Sequence, residues 1–109
     1  MPLIEHGDIR WYRFRYPDKL RPVVVLGLDR LLPALSQVPV IPISTKIRGL
    51  PWEVMLTPNE GMPEACVLKP EWIQSVERAF LGARITSFPV GRWQEVRKAL
   101  LFFLGLDQP

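Results

Sequence analysis

Histidine and cysteine are almost absent from this sequence of 109 residues, which contains His6 and Cys66 as the single example of each. One cysteine cannot form an internal disulfide, and these two residues cannot supply the usual ligand set of a zinc site. Chemistry without a metal or another cofactor is therefore favoured. Because Cys66 lies between Ala65 and Val67, we expect a small core residue rather than a nucleophile. We expect His6 to be a surface residue.

Long hydrophobic runs are also missing, although 48% of the residues are hydrophobic. No segment approaches the ~18 consecutive apolar residues that a membrane-spanning helix needs. The stretch MPLIEHGDIRW has acidic residues and a histidine where a signal peptide would have a basic start and an apolar run. We therefore expect a cytoplasmic location and no membrane partner. The length suits one domain that spans residues 1–109.

The charge balance is mildly basic, with 14 Lys and Arg against 11 Asp and Glu, a net charge of +3 and a pI near 9.4. Such a balance fits a nucleic-acid partner but is also common among other proteins. The position of the cations says more than their number. A short stretch of the first half carries Arg10, Arg13, Arg15, Lys19 and Arg21.

Hydrophobic periodicity predicts a β-hairpin near the N-terminus. Residues 7–17 alternate between aromatic and charged side chains, which is typical of a strand. Residues 22–28, PVVVLGL, form an apolar run that predicts a second strand buried on both faces. The turn signal YPDK at 16–19 lies between them. Pro33 then limits residues 29–36 to a short helical turn.

The rest of the chain predicts more short strands and one helix. Strands are expected at 38–43, 52–56 and 65–68, with a loop over 57–64, and 73–80 could end the sheet. From Trp93 to Phe103 large apolar residues recur every three or four positions, which predicts an amphipathic helix that stops at Gly105. The fold class is therefore mainly β, a small antiparallel barrel with a C-terminal helix.

Residues 39–51, PVIPISTKIRGLP, begin as a buried strand and end in hydroxyls and cations: Ser44, Thr45, Lys46 and Arg48. A hydroxyl gives a directional hydrogen bond, and cations balance negative charge, so this pattern predicts an anion site for phosphate. The alternative is that the hydroxyls satisfy backbone groups at a turn and the cations are solvated. Composition alone leaves both interpretations open.

Five short motifs give a further signal through their order along the chain. They are GD at 7–8, Arg21-Pro22, PISTKIRG at 42–49, PWEV at 51–54 and IQSV at 73–76. In this order and spacing they resemble the MazF/PemK family of toxin endoribonucleases. The resemblance covers almost the whole chain.

The resemblance implies an SH3-like barrel that forms a homodimer, the toxin of a type II toxin–antitoxin system. It implies a sequence-specific, metal-independent endoribonuclease that cleaves single-stranded RNA such as mRNA and arrests growth. The 2′-hydroxyl of the RNA would attack the adjacent phosphorus, leaving a cyclic phosphate and a free 5′-hydroxyl. A cognate antitoxin with an acidic, flexible C-terminal tail would neutralise the enzyme.

The resemblance also implies three catalytic residues. Arg21 would stabilise negative charge or act as a general acid, and Ser44 stands where the family has a threonine that hydrogen-bonds the phosphate. Glu71 would orient a cation such as Arg21 or accept the 2′-hydroxyl proton. Taken alone, the same residues could be a solvated cation, a turn hydroxyl and a surface glutamate. The candidate RNA contacts are Arg13, Arg15, Lys19, Thr45, Lys46, Arg48, Lys69 and Trp72.

The chain departs from the family pattern in two places. The link between the first two strands is short, and Asp18 is the sole acid on it, so the general base stays open. Lys69 stands where relatives often have arginine or asparagine. Tyr16 and Trp52, like Trp72, fit a core or dimer interface more often than a base-stacking surface.

Two other functions remain compatible with the sequence. The same barrel serves toxins that bind DNA gyrase without catalysis, through an aromatic C-terminal helix end such as LFFLGLDQP here. Arg21, Ser44 and Glu71 would be dispensable in such a protein and essential in a nuclease. An inactive member of the family is the third possibility.

Overall fold

The computed structural model describes residues 3–15 and 19–108. These residues form seven strands and one α-helix: β1 (Asp8–Arg13), β2 (Leu20–Val25), β3 (Gln37–Ser44), β4 (Val54–Leu56), β5 (Cys66–Leu68), β6 (Gln74–Glu77), β7 (Arg84–Ser87) and α1 (Trp93–Phe103). Short 3-10 turns lie between them at Leu32–Ala34, Pro58–Glu60, Pro70–Trp72, Arg78–Phe80 and Val90–Arg92. Tyr16 and Asp18, considered above, lie outside the described residues.

The strands pair antiparallel in the order β4-β5-β3-β2-β1-β7, and β6 pairs with β3 beside this path. The predicted hairpin is confirmed, because β1 and β2 pair from Ile9 and Val24 to Arg13 and Leu20. The short helical turn around Pro33 is also confirmed. The predicted mainly β class, with its antiparallel sheet, is therefore present.

The central strands are buried on both faces of the sheet. Val23, Val24 and Val25 are all 0% exposed, as the apolar run predicted. Val24 faces one hydrophobic cluster together with residues of β3 to β5 and α1. Val23 and Val25 face a second cluster, which includes Val38 and Val40 of β3. This double burial fixes the position of β2 and β3 and of the side chains at their ends.

The predicted C-terminal helix is confirmed as α1. Val96 and Ala99 are its buried residues, and they pack into the first of the two clusters. The helix ends before Gly105, whose φ of 72° is in the left-handed region that favours glycine. None of the helices in the described part of the chain has the length and apolarity to cross a membrane.

The prediction that residues 73–80 could end the sheet is wrong. The segment contains β6, but the chain continues to a seventh strand, β7, which pairs with β1. The four residues of β7, RITS, are all at least partly exposed, and a bulge interrupts the pairing after Ile9. So short and polar a segment carries little periodic signal of its own.

The early end of the β2–β3 ladder opens the surface on which the predicted site lies. β3 pairs with β2 up to Pro42, which stands opposite Val23, and on its other edge it pairs with β5 at Ile43 and Ser44. Continuing the β2–β3 register would place Arg21 opposite Ser44. Pro22 has no N–H with which to extend the ladder. The strands therefore separate, and Arg21 and Ser44 lie on either side of the resulting gap.

The buried sheet can be tested by two matched isoleucine substitutions. Ile41 is 0% exposed and Ile47 is 42% exposed, only six positions further along the chain. Ile41→Ala is expected to lower the free energy of unfolding by about 2–5 kcal/mol, because it leaves a cavity between packed strands. Ile47→Ala is expected to change it by less than about 0.5 kcal/mol. Urea unfolding at one fixed protein concentration measures both, and equal effects would contradict this packing.

Candidate active site

A groove lies where β2 and β3 separate, with a volume of about 570 Å³. We call it the cationic groove, because four basic side chains line it. Most of the predicted site residues lie along it: Lys19, Arg21, Ser44, Thr45, Lys46, Arg48 and Trp72. A second cavity of about 330 Å³ shares Arg21 and Trp72 with it and also touches Phe14 and Gln74. The gap between two strands thus collects side chains that are distant in sequence.

Arg21 is half-buried on β2, one residue before Pro22. Its guanidinium carbon lies 5.0 Å from the ring centroid of Trp72. A cation over an indole face is attracted by the ring, so Trp72 restricts where the guanidinium can lie. Trp72 is itself 40% exposed and keeps part of its surface toward solvent. The two residues form one wall of the cationic groove.

Ser44 ends β3 on the other side of the gap and pairs with Val67 of β5. Its Oγ accepts a hydrogen bond of 3.1 Å from the backbone N–H of Lys46. A hydroxyl that accepts one hydrogen bond still has its own proton to donate. Ser44 therefore satisfies a backbone group, as the turn interpretation predicted, and retains the donor that a phosphate would need.

The loop after Ser44 carries two cations and is held by a carboxylate. Oε1 of Glu53 accepts hydrogen bonds from the backbone N–H groups of Arg48, Gly49 and Leu50, at 3.1, 2.8 and 3.2 Å. Gly49 has a φ of 71°, in the left-handed region that favours glycine, so the loop can turn there. Lys46 and Arg48 are exposed on this loop and line the groove. The backbone that presents these cations is thus tied to β4 by Glu53.

Lys69 lies beneath this region and is only 3% exposed. Its Nζ contacts Oε2 of Glu53 at 2.8 Å and Oε2 of Glu71 at 3.1 Å. It also lies 5.4 Å from the ring centroid of Trp72. The ammonium of Lys69, which the sequence analysis gives as a candidate RNA contact, is therefore bound by two carboxylates.

The pKa values of Glu53 and Lys69 show how this pair stays charged. Burial acts to raise the pKa of Glu53, but hydrogen bonds from Lys69 and from the backbone at Leu50 and Arg48 outweigh it and lower the pKa. Burial acts to lower the pKa of Lys69, but hydrogen bonds to Glu53 and Glu71 outweigh it and raise the pKa. Both side chains are therefore ionised at neutral pH.

Glu71 reaches Lys69 from the 3-10 turn Pro70–Trp72. The backbone N–H of Lys69 donates to the carbonyl of Pro42 at 2.9 Å, which ties this turn to β3 beside the gap. The second carboxylate oxygen, Oε1 of Glu71, is buried and has no hydrogen-bond partner among the described residues. One oxygen is thus fixed by Lys69, and the other retains its capacity to accept a proton donor.

Other predicted residues lie elsewhere. Arg13 is the last residue of β1 and Arg15 follows it; both are exposed, and neither lines the cationic groove. Trp52 packs against Phe102 and Phe103 of α1, with centroids 6.1 and 5.4 Å away, which confirms its interpretation as a core residue.

Cys66 and His6, for which no catalytic role is expected, lie where the sequence predicts. Cys66 is buried in the core, as predicted. Burial and the negative charges of Glu64 and Glu60 raise the pKa of its thiol to about 11, so it stays protonated at neutral pH. His6 is exposed, as predicted, and stacks on Trp93 at 4.3 Å. Across residues 3–15 and 19–108, no His, Cys, Asp and Glu side chains form a group of three that could hold a metal ion.

Glu53 is the site residue that the sequence analysis missed. It lies in the PWEV motif at 51–54, which by itself gives it no role. The available signal was an acidic residue inside an otherwise apolar strand segment, which needs a buried partner.

Comparison with known proteins agrees with this geometry. The profile of the PemK-like, MazF-like toxins of type II toxin–antitoxin systems matches residues 5–104. The chain belongs to this family. Probable endoribonuclease MazF5 of Mycobacterium tuberculosis is 37% identical over 92 residues, which cover 84% of this chain and 79% of that relative.

Solved structures of the MazF type share the fold. Toxin MazF-mt6 of Mycobacterium tuberculosis matches with a TM-score of 0.83 and 26% identity, over 90% of this chain and 96% of its own. An endoribonuclease from a mycobacterial species, solved in complex with its cognate antitoxin, matches with a TM-score of 0.78 over 100% of both chains. At 16% identity, the second match shows the fold alone. These matches confirm the MazF-type barrel fold that the motifs implied.

The buried charges of this MazF-like chain predict a pH-dependent effect of Glu53→Gln on stability. A carboxyl whose pKa is lowered by folding stabilises the fold above its unfolded pKa, and this stabilisation is lost as pH falls through the folded pKa. For Glu53 the unfolded value is 4.5 and the folded value is lower. The difference in free energy of unfolding between wild type and Glu53→Gln should therefore be constant from about pH 6 to 9 and shrink as pH falls below about 4.5.

Urea unfolding at several pH values measures this difference. Lys69 does not disturb the comparison in that window, because its folded pKa lies above 10.5 and it stays protonated. Glu5→Gln at an exposed position serves as the control. A gap between wild type and Glu53→Gln of equal size at pH 7 and pH 3 would contradict the ion pair.

Proposed function

We propose that this chain is the toxin of a toxin–antitoxin pair and cleaves single-stranded RNA in the cationic groove without a metal ion. The RNA's own 2′-hydroxyl is the nucleophile: the O2′–P bond forms as the P–O5′ bond breaks, and the leaving 5′-oxygen takes up a proton from solvent to become the 5′-hydroxyl end. The observation that carries the proposal is the opening of Arg21 and Ser44 onto one groove at the gap between β2 and β3. The relatives named as endoribonucleases support the reaction class.

The RNA supplies the nucleophile, so the protein has to orient the phosphodiester, stabilise added negative charge and move protons. In our proposal the guanidinium of Arg21, aimed by Trp72, binds a phosphate oxygen as charge develops on it. The Ser44 hydroxyl donates a hydrogen bond to another phosphate oxygen from the opposite side of the gap. Both donors act most strongly on the transition state, where the phosphate carries the most charge.

We assign proton transfer at the 2′-hydroxyl to Glu71. Its Oε2 is held by Lys69, and its Oε1 has no partner among the described residues. Of the two roles open in the sequence, accepting the 2′-hydroxyl proton uses this oxygen after a rotation of the side chain, because Oε1 is buried and Glu71 does not line the cationic groove in the free chain. Lys69 then orients Glu71 from below and does not itself bind phosphate, because both carboxylates already engage its ammonium.

Single-stranded RNA is the substrate that fits these features. An A-form duplex holds the 2′-hydroxyl away from an in-line position, and sequence-specific proteins read unpaired bases. Lys19, Lys46 and Arg48 line the groove and provide sites for the phosphates that flank the cleavage point. Trp72 has an exposed face on which a base can stack.

The cleavage proposal is tested with purified protein, a long single-stranded RNA and excess EDTA. Wild type should give discrete fragments with 5′-hydroxyl ends. Arg21→Ala and Ser44→Ala should each slow cleavage by about 10²-fold or more, because each removes a donor to the developing charge. Arg97→Ala on the exposed face of α1 removes an arginine outside the groove and should cleave like wild type.

Two outcomes would contradict this proposal. Intact RNA with folded wild-type protein rejects the nuclease. An inactive family member or a gyrase-binding toxin then takes its place. Normal cleavage by both Arg21→Ala and Ser44→Ala would leave a nuclease whose active site lies elsewhere.

The salt dependence of RNA binding tests the phosphate contacts separately from chemistry. Each phosphate contact on a single strand contributes about 0.7 to the slope of log affinity against log salt concentration. The double variant Lys46→Ala/Arg48→Ala should therefore reduce the slope by about 1.4. Arg97→Ala/Lys98→Ala, which removes two exposed helix cations, should leave it unchanged. Equal slopes for wild type and Lys46→Ala/Arg48→Ala would place the RNA outside this groove.

We propose a cognate antitoxin and a homodimer as the protein partners. A matching mycobacterial endoribonuclease was solved with its antitoxin. An acidic, flexible antitoxin tail would compete with RNA for the same cations.

The exposed apolar residues at the end of α1 supply area for the homodimer interface: Phe102, Phe103, Leu104 and Leu106. In the cytoplasm, release from the antitoxin would arrest growth. Copurification of this chain with a small acidic protein from a neighbouring gene tests the proposed antitoxin.

A further inference from the structure

Glu53 connects two parts of the candidate site through its two carboxylate oxygens. Oε1 accepts the three backbone N–H groups of residues 48–50, and Oε2 accepts a hydrogen bond from Lys69. A carboxylate offers about four acceptor positions, so these four hydrogen bonds use its capacity. Its side chain is 4% exposed. Glu53 therefore has no free oxygen to contact RNA and can affect the reaction only through other groups.

Lys69 transmits the position of Glu53 toward the groove. The side chains of Glu53, Lys69 and Glu71 form a row of alternating charge, with contacts of 2.8 and 3.1 Å. Lys69 is 4% exposed at the side chain and Glu71 is 19% exposed, so the row runs from the interior toward the surface. It ends beside Trp72, whose ring contacts both Lys69 and Arg21.

A lysine at this depth needs an anion on its inner side. Without Glu53, the flexible four-carbon side chain of Lys69 would keep Glu71 as an ion-pair partner and would be free to move outward toward solvent. Glu71 would then lose the fixed geometry of its Oε2. Catalytic groups that are misplaced by about 1 Å can lose about 10²-fold in rate.

We propose that Glu53 is a positioning residue for RNA cleavage. It fixes Lys69 and, through Lys69, the carboxylate of Glu71. Its other oxygen holds the loop that carries Lys46 and Arg48. This inference rests on the proposed nuclease function and assigns a role to a residue outside the set of RNA-contacting groups.

The Glu53→Gln variant separates the two contacts of Glu53, the one with Lys69 and the one with the backbone of residues 48–50. Glutamine keeps a carbonyl oxygen for the backbone N–H groups of residues 48–50, but it presents a neutral amide to Lys69. The single-turnover cleavage rate should fall about 10- to 100-fold. Affinity for an RNA with a 2′-deoxy nucleotide at the cleavage point should stay within about threefold of wild type, because the loop cations keep their place.

Glu53→Ala removes both contacts and should lower the cleavage rate and the RNA affinity together. Lys69→Met should slow cleavage like Glu53→Gln. The double variant Glu53→Gln/Lys69→Met should be no slower than Lys69→Met alone, since Glu53 reaches Glu71 through Lys69. Glu95→Gln is the matched control, because it removes an ion pair between Glu95 of α1 and Arg92 of the preceding turn, neither of which lines the cationic groove. It should cleave at the wild-type rate.

Two results would overturn the inference while wild type still cleaves RNA. One is folded Glu53→Gln that cleaves at the wild-type rate, and the other is a double variant whose losses multiply. Circular dichroism at the assay temperature verifies folding. If Glu53→Gln does not fold, Lys69→Gln and Lys69→Arg replace it. Slow cleavage by Lys69→Gln and faster cleavage by Lys69→Arg would support the positioning of Glu71 by a buried cation. Equal cleavage rates of the two variants would reject it. Absence of cleavage by wild type would instead reject the nuclease itself.

Discussion

The early end of the β2–β3 ladder is the constraint on which the site depends. The pairing stops at Val23 and Pro42, beside Pro22, which has no N–H to donate, while β3 stays paired with β5 on its other edge. The buried valines of β2 keep the separating strands in place on both faces of the sheet. A rigid gap results, with a guanidinium at one side and a hydroxyl at the other. Positions set by packed strands are more exact than positions set by loops.

Buried charge is the second organising feature, and it links the sheet to the loops around the gap. A buried lysine is costly unless it is paired, and here two carboxylates compensate it. The same carboxylate that holds Lys69 also satisfies the backbone of the loop after Ser44. The loop, β4 and the turn Pro70–Trp72 are therefore joined through one side chain, Glu53. Such sharing restricts groups that would each be mobile alone.

Local patterns in the sequence were enough to predict much of this fold. The valine run and the apolar spacing of α1 reflect burial that each segment shows by itself, so the hairpin and the helix followed from periodicity. Strand β7 was missed, because four partly exposed residues have no pattern apart from their pairing with β1. The motifs and the resemblance that they carry also selected side chains that converge on one groove, among them Arg21, Ser44 and Trp72. The role of Glu53 depends on Lys69, 16 residues away, and on backbone groups whose directions no sequence pattern contains.

In our proposal the gap between Arg21 and Ser44 holds the phosphodiester that is cut. A structure of the chain with a single-stranded RNA that carries a 2′-deoxy nucleotide at the cleavage point, and so cannot react, would test this. We expect phosphate oxygens within hydrogen-bonding distance of the Arg21 guanidinium and the Ser44 hydroxyl, with Glu71 facing the 2′ position. RNA bound on another face, with the gap empty, would contradict it.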